Sequence, residues 1–263
     1  MKASLPLAGR RIVLTRNAGQ SLEYRGALEA LGAEVWEMPV IEIVPHEDPD
    51  TLQDIWEEIA TYEWVIFTSA NGVTQFFQFF LKRFPDIRSI GFTRFACIGK
   101  ATADKVRDYH LQVDLVPPEA SSEHLAKALM HFQTLDNLKI LVVTGNRNKD
   151  TLVKTLEQEG RAIVDTVCVY KNQPISVEKH PLRKRFISEG ADWILFTSDS
   201  AVESFQQQAQ LLQLHSGAKT PKVISIGPVT SESLRKQKIP VAIELEFPSI
   251  EGLTNALQNL PSA

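Results

Sequence analysis

Five short turns of small polar residues are the places where this sequence could do chemistry. They read Thr68-Ser69-Ala70-Asn71, Gly99-Lys100, Thr144-Gly145-Asn146, Thr197-Ser198-Asp199-Ser200 and Gly227-Pro228. Each leaves an apolar run and leads toward an amphipathic stretch or a proline-marked helix start. At such a junction the first N–H groups of the helix lack intrahelical partners and favour an anion. In open α/β sheets, ligands bind outside the carboxyl ends of the strands. Ser, Thr and Asn at these positions are equally ordinary helix caps, and a duplicated fold duplicates its caps. The chemistry on offer is therefore positioning, hydrogen bonding and anion neutralisation.

Stronger reagents are not legible. No G-x-G-x-x-G follows a strand and no phosphate loop is present, since Gly99-Lys100-Ala101-Thr102 lacks the glycine spacing. No G-x-S-x-G elbow marks a hydrolase. His124 and His131 stand seven apart without an evident third ligand, so a metal site is not expected. The run Phe76-Phe77-Gln78-Phe79-Phe80 reads as helix packing. Cys97 and Cys168 sit in apolar runs and read as small buried hydrophobes rather than a disulfide or metal pair.

The elements that must carry these turns follow from periodicity. Ile12–Thr15, Trp64–Phe67, Phe95–Ile98, Ile140–Val143, Trp193–Phe196 and Val223–Ile226 are apolar without polar alternation, as parallel strands covered on both faces require. Helical patterns cover Leu22–Leu31, Leu52–Ala60, Val73–Leu81, Ala101–Asp108, Leu125–Phe132, Leu152–Glu159, Val202–Leu212 and Leu253–Leu257, the last behind Ser249 as a candidate N-cap. Strand alternating with helix predicts an α/β fold with parallel sheets.

The chain also repeats itself. WVIFTSANGV at 64–73 is echoed by WILFTSDSAV at 193–202, ACIGKAT at 96–102 by ISIGPVT at 224–230, and Ser121–Leu125 by Ser249–Leu253. A repeat this long is a duplicated domain, not a solenoid unit of about 20–50 residues. At 263 residues the chain has room for two such domains. Two look-alike domains predict a cleft between them, a preferred place for small molecules. The formal net charge of −4 gives a nucleic-acid partner no support. The N-terminal stretch lacks the apolar core of a signal peptide and no apolar run approaches the ~18 residues of a membrane span, so a cytoplasmic monomer without membrane partner is expected.

Taken in order, RIVLTR at 11–16, LGAEVWEMPVIEI at 31–43, WVIFTSANGV, ACIGKATA, TGNRNKDTLVKTLEQEG at 144–160, Val169-Tyr170-Lys171, WILFTSDSAV, ISIGPVTSESL and PSIEGL span nearly the full length. Together they resemble the uroporphyrinogen-III synthase family. The resemblance implies two flavodoxin-like domains interleaved in sequence and joined by a two-stranded linker. One domain would comprise 1–38 with 175–263, the other 44–167, and the linker strands 39–43 and 168–174. A cut near residue 130, suggested by the repeat alone, would then be wrong.

The resemblance further implies a reaction without cofactor. The linear tetrapyrrole hydroxymethylbilane loses its terminal hydroxyl, its last pyrrole attacks through a substituted carbon to give a spiro intermediate, and that ring ends inverted. The uncatalysed closure gives the non-inverted isomer. Tyr170 matches the family's recurring tyrosine and is the expected catalytic group, a phenol donating to the departing hydroxyl. The substrate is a polycarboxylate. Its expected binding residues are Thr68, Ser69, Thr102, Thr197, Ser198 and Thr230 for hydroxyls, Asn71, Gly99 and Gly227 at the turns, and Arg16, Lys100 and Arg147 for charge. Val229 departs from the pattern, in which a second hydroxyl residue is common there. The linker is expected to act as a hinge. A sensor module that keeps the fold without the chemistry is the alternative, and a periplasmic-type binder stands further back.

Overall fold

The computed structural model describes residues 5–16, 18–148 and 150–259. The chain divides into two compact units, Met1–Glu42 with Gln173–Ala263 and Ile43–Asn172. It crosses from the first unit to the second within strand β3 (Ile41–Pro45) and returns within β7 (Ile163–Pro174).

Unit 1 is a parallel sheet of β1 (Arg11–Leu14), β2 (Glu34–Glu37), β8 (Trp193–Phe196), β9 (Lys222–Ser225) and β10 (Val241–Glu244), in the order β10-β9-β8-β1-β2. Counted within the unit this is the flavodoxin-like order 2-1-3-4-5. Its helices are α1 (Ala18–Ala30), α7 (Arg183–Glu189), α8 (Asp199–Gln207), α9 (Pro228–Lys236) and α10 (Ile250–Gln258). Alternate strand residues face opposite layers. Val13, Ile194 and Phe196 pack with Phe186, Val202 and Leu234 of α7, α8 and α9. Ile12, Leu14, Trp193 and Leu195 pack with Leu28, Leu253 and Leu257 of α1 and α10. Covering both faces is why these strands need no polar alternation.

Unit 2 repeats the plan. Its sheet runs β3-β7-β6-β4-β5, with β4 (Trp64–Phe67), β5 (Arg94–Cys97) and β6 (Lys139–Gly145). The pairs β4–β5, β4–β6 and β6–β7 are parallel. Hydrogen bonds from Ile175 N to Val40 O and from His46 N to Val169 O link the two crossing segments in opposite senses. Helices α2 (Pro49–Glu58), α3 (Ala70–Arg83) and α4 (Lys100–Arg107) share one core with Val65 and Phe67, whereas α5 (Ser122–Phe132) and α6 (Thr151–Gln158) cover Trp64 and Ile66 on the other face. Phe76, Phe77 and Phe80 are wholly buried there, each contributing roughly 1.5–3 kcal/mol by burial. The phenylalanine run is helix packing. Helix α3 stops at Phe84, which is extended before Pro85 as a pre-proline residue prefers.

Three differences from the sequence reading have local causes. Helices α7 and α9 and strands β2 and β10 are short or half-exposed, so their periodicity is weak. The stretch Val202–Leu212 is not one helix: α8 ends at Gln207 and a 3-10 turn follows at Ala209–Leu212. At the break, the side chain of Gln208 accepts from Val177 N (2.7 Å) and donates to Ile175 O (2.9 Å), tying the loop down. Cys97 is buried as expected, with its thiol pushed up to about 12 by burial, but Cys168 is only half-buried. Among the described residues, no helix is long and apolar enough to cross a membrane.

Candidate active site

Tyr170 enters its position through an irregularity in β7. Thr144 of β6 stands opposite Cys168, but the next residue, Gly145, stands opposite Tyr170, so Val169 is an extra residue. A bulge of this kind bends a strand and re-aims a side chain. Consequently Val169 and Tyr170 pack in the same core on one face of the sheet, where a regular strand would send them to opposite faces. The phenol ring then lies directly over Gly145. A Cβ there would meet Tyr170 Cζ at 2.4 Å and Cε2 at 2.6 Å, closer than any real contact, so the ring uses the space that glycine leaves.

The Tyr170 hydroxyl ends 3.0 Å from Ser69 Oγ. Ser69 is the N-cap of α3 and accepts from Gly72 N at 3.0 Å. Its neighbour Thr68 donates from Oγ1 to Val143 O at 3.1 Å, fastening the end of β4 to β6. Asn146 holds the segment after Tyr170: its Oδ1 accepts from Asn172 N at 3.0 Å, and its backbone N–H donates to Tyr170 O at 3.2 Å. Burial pushes the Tyr170 phenol above its ordinary pKa, the bond from Ser69 opposes that, and Cys168 adds to it. The phenol is therefore protonated at neutral pH.

This cluster has a topological reason. Strands β4 and β6 are adjacent, yet α3 packs on one face of the sheet and α6 on the other. Helices that leave in opposite directions open a crevice at the carboxyl ends of the two strands. Ser69 follows β4 and Gly145 ends β6, so Tyr170 and Ser69 meet at that switch point.

Unit 1 has the matching crevice between β1 and β8. Arg16 follows β1, its guanidinium 4.8 Å from the ring centroid of Tyr24. Thr197 and Ser198 follow β8. Ser198 caps α8 by accepting from Ala201 N at 3.2 Å, as Ser69 caps α3, but its second partner is the Ser200 hydroxyl at 3.0 Å rather than a phenol. The duplicated turns thus differ in what they hold.

The other expected residues divide into two groups. Gly99 and Gly227 precede α4 and α9, and neither helix has a side-chain cap, unlike the serine-capped α3, α5, α8 and α10. Lys100 is exposed at the start of α4, and Arg147 is exposed after β6. Asn71 is half-buried in the first turn of α3. Thr102 and Thr230 are buried, 5% and 4% exposed, in the first turns of α4 and α9. Val229 beside Thr230 is exposed. Sequence reasoning did not single out Gly145 as the seat of the phenol or Asn146 as its clamp. The only signal was their position at a strand end, which says nothing of the ring that arrives from β7. His124 bonds the cap Ser121 (Nδ1 to Oγ, 2.8 Å), and no cluster of metal ligands occurs among the described residues.

A family model described as uroporphyrinogen-III synthase HemD matches residues 23–255. The chain is 30% identical over 269 residues to the uroporphyrinogen-III synthase of Synechococcus elongatus, covering 97% of each. It is 29% identical over 252 residues to a porphyrin biosynthesis protein HemD of Ruminiclostridium josui, of which it spans about half the length (96% of this chain, 49% of that protein). A crystal structure of a mutant uroporphyrinogen III synthase from the extremely thermophilic bacterium Thermus thermophilus shares the fold, with a TM-score of 0.64 at 17% identity over 96% of this chain and all of that one.

Proposed function

The chain belongs to the uroporphyrinogen-III synthase family, and from that premise we propose that it closes hydroxymethylbilane to uroporphyrinogen III with inversion of the terminal pyrrole, a lyase reaction in the cytoplasm. The pyrrole nitrogen lone pair pushes in as the terminal C–O bond breaks, and the Tyr170 proton joins the departing hydroxyl as water. The last pyrrole attacks the resulting azafulvene through its substituted carbon. The spiro intermediate fragments and recloses inverted. The proton released when that pyrrole rearomatises restores the phenol, so the net change is loss of one water.

The observation that carries this reading is the Tyr170 hydroxyl held 3.0 Å from Ser69 Oγ at the carboxyl ends of β4 and β6. A phenol so placed is an acid for a poor leaving group, worth about 10²–10⁴-fold when fully effective. The rest of the rate and all of the isomer control come from orientation. Because the protein is net acidic, the substrate's carboxylates must be met locally. The uncapped starts of α4 and α9 at Gly99 and Gly227, with Lys100, Thr102 and Thr230, supply backbone N–H, charge and hydroxyl. Arg16, Arg147, Thr68, Asn71, Thr197 and Ser198 complete the binding set.

The test is the isomer composition formed from hydroxymethylbilane by the wild type and by Tyr170→Phe. With the wild type, hydroxymethylbilane should close to the inverted isomer in place of the non-inverted one that dominates spontaneous closure, and Tyr170→Phe should slow that turnover by tens-fold. An unchanged spontaneous mixture with the wild type would remove the assignment. Full rate and fidelity in Tyr170→Phe would remove the tyrosine from it.

A further inference from the structure

We infer that Ser69 is a positioning residue that acts through Tyr170, aiming the phenolic proton at the leaving group, so that the acid of the reaction is a Ser69–Tyr170 pair and not the tyrosine alone. This rests on the reading above and deepens it. Three features support it. Ser69 Oγ is fixed, because it accepts from Gly72 N at 3.0 Å as the cap of a fourteen-residue helix. The Tyr170 ring rests against Gly145, and Asn146 holds the backbone beyond it. The two hydroxyls are 3.0 Å apart, and either can donate.

Only one arrangement serves catalysis. A serine hydroxyl has one proton and two lone pairs, and one lone pair of Ser69 already accepts from Gly72. If the phenol donated to the other, its proton would face the protein. When Ser69 donates to the phenol oxygen instead, the phenolic proton is left for the substrate. As that proton leaves, the same Ser69 bond stabilises the oxygen that is becoming phenolate. Burial holds the phenol protonated in the resting state, and Ser69 works against burial as charge develops. Ser198 makes the duplicate cap without a phenol, so the arrangement belongs to this turn and does not follow from capping as such.

The experiment is a double-mutant cycle on the full chain, with kcat and KM for uroporphyrinogen III formed from hydroxymethylbilane. Ser69→Ala should lower kcat roughly tenfold, the scale of one hydrogen bond, with KM within about twofold, and Ser69→Thr should restore most of the rate. In the Tyr170→Phe background, Ser69→Ala should cost nothing further. Ser121→Ala removes the equivalent cap from α5. It should lower the unfolding midpoint about as much as Ser69→Ala while leaving kcat unchanged, which separates positioning from helix stability. If the losses from Ser69→Ala and Tyr170→Phe multiply, or if Ser69→Ala raises KM alone, Ser69 contacts substrate on its own account and the inference is overturned. Wild-type turnover in Tyr170→Phe would instead sink the general-acid reading, and the pair with it.

Discussion

Gly145 has no side chain, and Tyr170 occupies the space a side chain would need. That makes the glycine a positioning residue for the phenol, although it touches no reacting atom. Gly145→Ala should push the phenol ring off Ser69 and lower kcat to about the level of Tyr170→Phe, while far-ultraviolet circular dichroism stays unchanged; wild-type kcat in this variant would show that the ring need not sit where it does. In the sequence, Gly145 was one small residue among several at a strand end. Tyr170 was legible only through resemblance, since no local pattern sets it apart from a packed strand tyrosine. Their meeting depends on the one-residue slip at Val169, and a slip in register leaves no mark on composition or period.

At the scale of the element, four helices are opened by serines. Ser69, Ser121, Ser198 and Ser249 cap helices with their own hydroxyls, each worth about 1 kcal/mol. Gly99 and Gly227 offer no side-chain cap to α4 and α9. The opposite, amino end of the unit 1 sheet is fastened by charge. Burial alone would raise the Asp192 carboxyl, but the Arg11 N–H at 2.8 Å, Lys219 and Arg10 hold it below the usual carboxylate range. Gly190 permits that fastening. It has φ +68 and stands so close to Lys219 that a Cβ would collide with the Lys219 carbonyl oxygen at 1.9 Å. Gly190→Ala should therefore cost roughly 2–4 kcal/mol, the left-handed backbone and the overpacking acting together. Urea unfolding measures this, and a loss below about 1 kcal/mol would mean that the Lys219 strand entry yields easily. Such a variant should still invert the pyrrole, because the carboxyl-end turns are untouched.

At the scale of the whole molecule, the echo at 64–73 and 193–202 invites a cut near residue 130, yet that cut would part β4 from β6, which pair along their length. The contiguous segment of unit 2 has its own sheet and two cores. Residues 41–174 expressed alone should fold cooperatively, whereas residues 1–130 should not; dispersed amide spectra for the second fragment would contradict this division. The order β7-β6-β4-β5 answers β2-β1-β8-β9 strand for strand, so each unit is the same winding begun at a different strand. By itself the sequence determined most of the elements, the duplication, the positions of the turns and the family, because apolar period, capping chemistry and ordered motifs are local and are written along the chain. Only the tertiary structure decided which strands are neighbours, which helices leave on opposite faces, and that Tyr170 rests on Gly145 with its hydroxyl at Ser69. Those facts depend on register between residues 25 and 101 positions apart, and spacing along the chain does not encode a distance that folding alone creates.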